Sequence, residues 1–347
     1  MTSTPTTRPW RHAAGLLTLL AALLAPGAQA GSTLDAVRSR GQLICGVSTG
    51  LPGFAATDAN GKWQGLDVDI CRAVAAAVLG DADKVRYAPL SGTNRFSALQ
   101  AGEIDLLSHT TTITLARDAA MGLHMTGISY YDAQGFLVPV KSRLRSARQL
   151  KDKTVCVQQN STTVRNLNEY SRLYKLNIKV LLFDQLEAAN AAYFAGKCDA
   201  FTNDMSQLAV VRTTYAAKPD DHVVLPDVIA KEPLGPMVKR GDEDWTTIVR
   251  WVLYGLIEAE EQGITQANVD RLRSSPEPAI QRIAGTGEDL GKMLGLDREW
   301  LARAIRATGN YGEIFDRNLG AKSPIGVPRG LNHLWNRGGL HYALPVR

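Results

Sequence analysis

Cysteine is scarce in this chain, four residues in 347, and histidine nearly so, with six. Neither type falls at metal-ligand spacing with another His or Cys, and there is no H-E-x-x-H, so no metal is expected. The P-loop and the G-x-G-x-x-G of dinucleotide folds are also missing, and with them any reason to expect a cofactor. Basic and aromatic residues do not interleave in a stripe, and the formal charge is only +5. Nucleic acid is therefore not an expected partner. Beyond residue 30 no run is long and apolar enough to span a bilayer.

The N-terminus carries a different pattern. Arg8 and Arg11 form a basic start, Ala13 to Ala25 is a short apolar run, and Ala28-Gln29-Ala30 is a small-x-small site. Residues 1–30 therefore read as a secretory signal peptide cut after Ala30. No cysteine follows the cut, which argues against a lipid anchor. In an exported chain an even cysteine count favours disulfides. Three pairings are possible; nearness in sequence suggests Cys45–Cys71 and Cys156–Cys198, one in each half of the molecule. With 45% hydrophobic and 21% charged residues, the chain suits one or two globular domains with real cores.

Strand and helix signals alternate. Gln42 to Val47 and Val85 to Leu90 read as strands, with a helix from about Asp67 between them. A helix through Phe96, Leu99 and Ala101 stops at Gly102, and Ile104 to Ser108 is a third strand. A second unit follows: strand Val155–Val157, a polar turn and helix through Tyr170, strand Lys179–Phe183, helix Glu187–Ala195. The strings A-G-E-I-D at 101–105 and A-G-K-C-D at 195–199 both place helix, Gly, two residues and Asp before a buried strand. The spacing predicts an α/β protein of two lobes whose strand ends face one cleft. Expected links are Pro139 to Ser142 and Pro233 to Lys239. That makes lobe 1 residues 31–138 with 236–347, including a mostly helical C-terminal extension, and lobe 2 residues 139–235. Leu331, Leu334 and Trp335 of the tail are expected to pack on a lobe that the sequence does not identify.

The strongest candidate stretch is Leu106 to Asp118, L-L-S-H-T-T-T-I-T-L-A-R-D, where an apolar strand ends in hydroxyl side chains and Arg117. A planar guanidinium can grip a carboxylate with two hydrogen bonds. Asn160-Ser161-Thr162 opens a helix, and free backbone N–H groups there can receive an anion. Asp204 ends a strand and could face an ammonium. Together Arg117, Thr112, Thr162 and Asp204 describe a trap for a zwitterion, with opposite charges on opposite lobes. Gly46-Val47-Ser48-Thr49-Gly50 matches a nucleophile-elbow string, but Leu51-Pro52-Gly53 forbids the helix that an elbow requires.

The residues resemble a known family. Gly65-Leu66-Asp67-Val68-Asp69, Thr112-Ile113-Thr114 with Arg117, and Val155-Cys156-Val157-Gln158 look like the periplasmic amino-acid-binding proteins of ABC importers. Three longer strings resemble their general L-amino-acid-binding subgroup. They are R-F-S-A-L-Q-A-G from Arg95, Y-Y-D-A-Q-G-F from Tyr130 and S-P-I-G-V-P-R-G-L-N from Ser323. The resemblance implies a periplasmic-binding-protein-like fold, a two-strand hinge, and an L-amino acid ligand delivered to permease subunits in the inner membrane. It implies that Arg117, helped by backbone groups at Thr110 and Thr162, holds the ligand carboxylate. Thr112 and Asp204 would hold the ammonium, and Phe54 would wall the pocket. Ser161 and His109 complete the candidate set; His109 stands where the pattern suggests Arg, Asn160 replaces a usual Gly, and Leu51 replaces a stacking aromatic. A periplasmic monomer without enzymatic activity is expected. The competing readings are an exported cyclohexadienyl-dehydratase-like enzyme on the same fold, for which only His109 and Glu103 offer an acid or base, and a receptor sensor domain.

Overall fold

The structure, a computed structural model, describes residues 1–4 and 32–347. The expected apolar run and cleavage point lie outside the described residues. From Ser32 onward the local rules act as read. Ser32 caps helix Thr33–Arg40 by accepting from the Asp35 N–H, and Gly41, at φ 68°, ends it. Strand Leu43–Ser48 is buried throughout and becomes the middle of a parallel trio with Val85–Leu90 and Leu106–Leu107. Helix Leu66–Leu79, almost wholly buried, is pinned to that strand by the Cys45–Cys71 disulfide. Met237–Lys239 and Leu123–Met125 complete the sheet as antiparallel strands.

The second sheet runs in the order His222–Val224, Tyr130–Pro139, Ala200–Asp204, Thr154–Gln158, Lys179–Phe183. Its last three strands are parallel, and Cys156–Cys198 lies beside them. Ala230–Leu234 pairs antiparallel with Tyr130–Pro139. One apolar cluster, with Phe136, Val155 and Leu167, and another, with Leu137, Phe201 and Leu208, build this lobe's core.

The first crossing differs from the expectation. Tyr130–Pro139 pairs with Ala200–Asp204, from Phe201↔Leu137 to Asp204↔Gln134, so it belongs to lobe 2. The chain therefore passes between lobes from Met125 to Tyr130, and residues 139–142 merely turn at the far end of lobe 2. The return crossing, Leu234 to Met237, falls inside the expected link. The two crossings are tied by Ser129 N–H to Leu234 O at 2.8 Å and Thr126 N–H to Pro236 O at 3.1 Å. They pass so closely that a Cβ on Gly235 would lie 2.0 Å from the Gly127 carbonyl oxygen, so only glycine fits.

The C-terminal extension packs on lobe 1. Helix Glu243–Glu261, capped by Asp242, contributes Trp245, Val249 and Leu253 to one continuous core. Helices Trp300–Thr308 and Tyr311–Asn318 add Leu301 and Phe315. Buried Asp69 binds Arg317 at 2.7 Å and Asn318 at 2.7 Å, locking extension to lobe. Of the tail residues, Leu334 enters this core while Leu331 and Trp335 stay exposed. Asn332 reaches the hinge instead, accepting from the Tyr131 N–H at 2.7 Å and donating to its carbonyl at 3.1 Å.

Candidate functional site

The C-terminal ends of the parallel strands of both sheets meet at one cavity, where open α/β folds place ligands. Its walls include Ser48, Leu51, Leu90, Arg95, His109, Thr110, Thr112, Gln158, Ser161, Thr162, Glu187, Asp204 and Gln207, around about 570 Å³ of atom-free space, mouth included. The lobes touch around it. Thr112 and Thr162 hydroxyls lie 3.4 Å apart, Thr49 donates to Glu187 at 3.1 Å, and Asn160 donates to Thr93 at 3.3 Å. The structure is thus the closed form.

Lobe 1 supplies the positive wall. Arg95 opens helix Arg95–Ala101 and is buried. Its Nη1 donates to the His109 carbonyl at 3.3 Å and lies 3.2 Å from His109 Nδ1. His109 Nε2 lies 2.7 Å from the Leu90 carbonyl. A carbonyl only accepts, so Nε2 carries the proton and Nδ1 accepts from Arg95. Burial, then the adjacent Arg95 charge, pushes the His109 pKa down to about 3, so the ring is neutral. Burial, then Arg117, lowers Arg95 to about 9, and Asp204 opposes the shift. Arg95 Nε is buried without a hydrogen-bond partner.

Arg117 lies beside this wall, as buried as Arg95 but not among the residues that line the cavity. In the helical turn Ala116–Ala120 its Nη1 donates to the Thr112 carbonyl at 2.7 Å. Its guanidinium lies 5.0 Å from the Phe96 ring centre, with Arg95 4.8 Å from the same centre. Burial lowers its pKa, while Glu232 and Asp204 raise it. It feels the cleft's charges without forming its surface.

The hydroxyl turn is held by Asp67, at the first turn of helix Leu66–Leu79. Asp67 accepts from Ser108 Oγ at 2.8 Å and from the Thr110 N–H at 3.0 Å. Burial lifts its pKa to about 6 against those two bonds. Thr110 sits at φ 42°, strained for a β-branched residue. Its amide, one of the backbone groups expected near a ligand carboxylate, is engaged by Asp67, while Thr110 itself lines the cavity. Phe54, expected to wall the pocket, does not line the cavity. It is buried in lobe 1, edge-on to Tyr130 at 5.6 Å, and Leu51 walls the cavity in its place.

Lobe 2 supplies the negative wall and a helix start. Asn160 adopts φ 57°, a conformation Asn tolerates and the turn requires. Ser161 is a true cap: its hydroxyl accepts from Val164 N–H at 3.4 Å and donates to Gln158 O at 2.6 Å. Thr162 and Thr163 then bring the open end of helix Thr162–Leu173 to the cavity. Asp204 is buried at the strand end, accepting from Gln207 Nε2 at 2.8 Å. Burial, then the neighbouring Asp132 and Glu232, lift its pKa well above the usual carboxylate range. Burial likewise lifts Asp132, to about 6. Asp204 is thus a carboxyl that lacks a cation.

The structure therefore brings together His109, Thr110, Thr112, Ser161, Thr162 and Asp204, keeps Arg117 beside them, and leaves Phe54 in the core. Arg95 and Glu232 are additions. Arg95 lay within a quoted string but reads as an ordinary helical arginine. Glu232 lies in a strand whose burial no local signal announces.

Residues 43–267 match the family described as bacterial extracellular solute-binding proteins, family 3. The chain belongs to this family. It is 51% identical over 331 residues to the general L-amino acid-binding periplasmic protein AapJ of Rhizobium johnstonii, covering 94% of this chain and 97% of that protein. It is 48% identical to the glutamate/glutamine/aspartate/asparagine-binding protein BztA of Rhodobacter capsulatus, across 94% and 97% of the two chains. Among solved structures, a periplasmic binding protein from Brucella ovis with glutathione bound superimposes with a TM-score of 0.89 at 48% identity. That match covers 91% of this chain and all of the other. The family match gives the two lobes their meaning as a solute-binding protein fold, and among the described residues no helix is long and apolar enough to cross a membrane.

Proposed function

We propose that this family 3 solute-binding protein captures L-amino acids by closing its lobes and delivers them to the permease of an ABC importer. One observation carries the reading: the cation-poor carboxyl of Asp204 and the guanidinium of Arg95 line the same cavity from opposite lobes. An α-amino acid bears both complementary charges within a few bonds. Arg95, with Arg117 beside it, faces the ligand carboxylate, together with the first-turn N–H groups from Thr162. Thr112 and Asp204 face the ammonium. His109 holds the Arg95 guanidinium in place instead of contacting charge itself. Each ligand end thus bonds to both lobes, and binding favours the closed form.

The relatives' names support this reading, including periplasmic location and broad amino-acid specificity. The chain acts as a monomer and catalyses no reaction. Of the two side chains that could have served an enzyme, His109 is neutral with both ring nitrogens engaged, and Glu103 is exposed. A second ligand class has its own support. The Brucella ovis structure holds glutathione, whose γ-glutamyl end carries the same α-amino and α-carboxylate pair.

A thermal-shift panel tests this, since a ligand that binds only the folded state raises the melting temperature. The panel contains the twenty L-amino acids, glutathione, D-isomers and citrate. L-amino acids raise the melting temperature, while D-isomers and citrate leave it unchanged. A flat response across the twenty would refute the reading.

A further inference from the structure

Strand Ala230–Leu234, the lobe 2 strand that leads into the return crossing, carries a buried carboxylate, Glu232, only 1% exposed. Its two oxygens are occupied separately. Oε1 accepts from Asn166 Nδ2 at 2.6 Å, and Oε2 accepts from Thr162 Oγ1 at 3.0 Å. Asn166 also donates to Gln134 Oε1 at 2.9 Å, and Gln134 is held in turn by Thr163 O and Thr202 Oγ1 at 3.0 Å each. The carboxylate is thereby fixed from both sides by helix Thr162–Leu173 of lobe 2.

That arrangement sets the direction of every hydrogen bond in front of it. A carboxylate accepts and does not donate, so the Thr162 hydroxyl spends its only proton on Glu232. Thr162 Oγ1 can then only accept, and the Thr112 hydroxyl across the cleft, 3.4 Å away, must donate to it. Thr112 in turn presents lone pairs, not a proton, to the cavity that it lines.

We propose that Glu232 is a positioning residue that orients a hydroxyl relay, Thr112 to Thr162 to Glu232, so that Thr112 accepts from the ligand ammonium only when the lobes are closed. The relay couples cation recognition on lobe 1 to a charge on lobe 2 and makes lobe closure part of the recognition step. It rests on the amino-acid reading above and adds a residue outside the cavity wall to it.

The test is a double-mutant cycle followed by calorimetry on the full mature chain. The probe is L-glutamine, replaced by the strongest binder of the twenty-member panel if glutamine is not bound. Glu232→Gln cannot accept from both donors, and Thr162→Val removes the middle hydroxyl. Each single variant weakens binding about tenfold, and the double variant weakens it by no more than either alone. Thr162→Ser, which keeps the hydroxyl, binds within about twofold of wild type. If Glu232→Gln does not fold, Thr112→Val and Thr112→Ser form the same cycle with Thr162→Val. Additive losses, or a Ser variant as weak as Val, would overturn the relay and leave the amino-acid reading standing. Absence of binding by the wild type to all twenty would overturn both.

Discussion

The two lobes share a grammar of strand, helix and glycine stop, yet they meet the ligand differently. Lobe 1 presents a wall in which each charge is supported from behind. Arg95 is braced by His109 and flanks Phe96 with Arg117, and the hydroxyl turn hangs on Asp67. Its core continues into the C-terminal extension. Lobe 2 is thinner, with two small clusters about one sheet, and brings a carboxyl, Asp204, that is short of a cation. One lobe is built before the ligand arrives, while the other carries a deficit that the ligand fills.

The largest test of that contrast is on stability. Cys156–Cys198 closes 42 residues of the thinner lobe and Cys45–Cys71 closes 26 of the thicker one. Chain entropy assigns each about 3–4 kcal/mol, more for the longer loop. Replacing Cys156 and Cys198 by Ala therefore lowers the melting temperature further than replacing Cys45 and Cys71, as read by scanning calorimetry. Equal losses would remove the distinction between the lobes' cores.

Next come the two charged walls. Asp204→Asn keeps the shape and removes the cation's partner, so amino-acid affinity falls about a hundredfold by titration calorimetry while the fold persists. Arg95→Ala weakens binding more than tenfold, and Arg117→Ala weakens it less, because Arg117 does not line the cavity. A larger loss for Arg117→Ala would reverse the order in which the arginines meet the ligand.

The smallest effect is with pH. In the unliganded cleft burial, then Asp132 and Glu232, hold the Asp204 proton above the ordinary carboxylate range. A bound ammonium favours the ionised form, so at acid pH binding must expel a proton. Affinity thus falls as pH drops below the unliganded pKa and levels off above it. Dissociation constants at about pH 5 and about pH 8, with heats in buffers of different ionisation enthalpy, check this sign. Equal affinity at the two values would mean that no ionised carboxyl faces the ligand.

Much of this was legible in the chain. Alternating strand and helix signals with glycine stops gave both lobes, and cysteine nearness gave both disulfides, because each pair lies within one lobe. The first crossing was expected at Pro139 because local periodicity does not say to which sheet the segment Tyr130–Pro139 belongs. The hydroxyl turn, Ser161 and Asp204 could be placed at the cavity from sequence because strand ends and helix caps have local signatures. Arg95 and Glu232 were not, since their roles arise from burial among residues distant in sequence. Thr110 and Phe54 were placed by resemblance, which cannot know that Asp67 takes the amide or that Tyr130 draws the ring inward.

The contacts at the rim of the cleft have a kinetic consequence. Thr49–Glu187, Asn160–Thr93 and Tyr215 to the Gly50 carbonyl, at 3.3 Å, bridge the lobes at exposed positions. A solute enclosed behind them leaves only when the lobes part. Its residence time is then set by the frequency of that parting, and a transporter that pries the rim open can unload tightly and weakly held cargo at similar speeds.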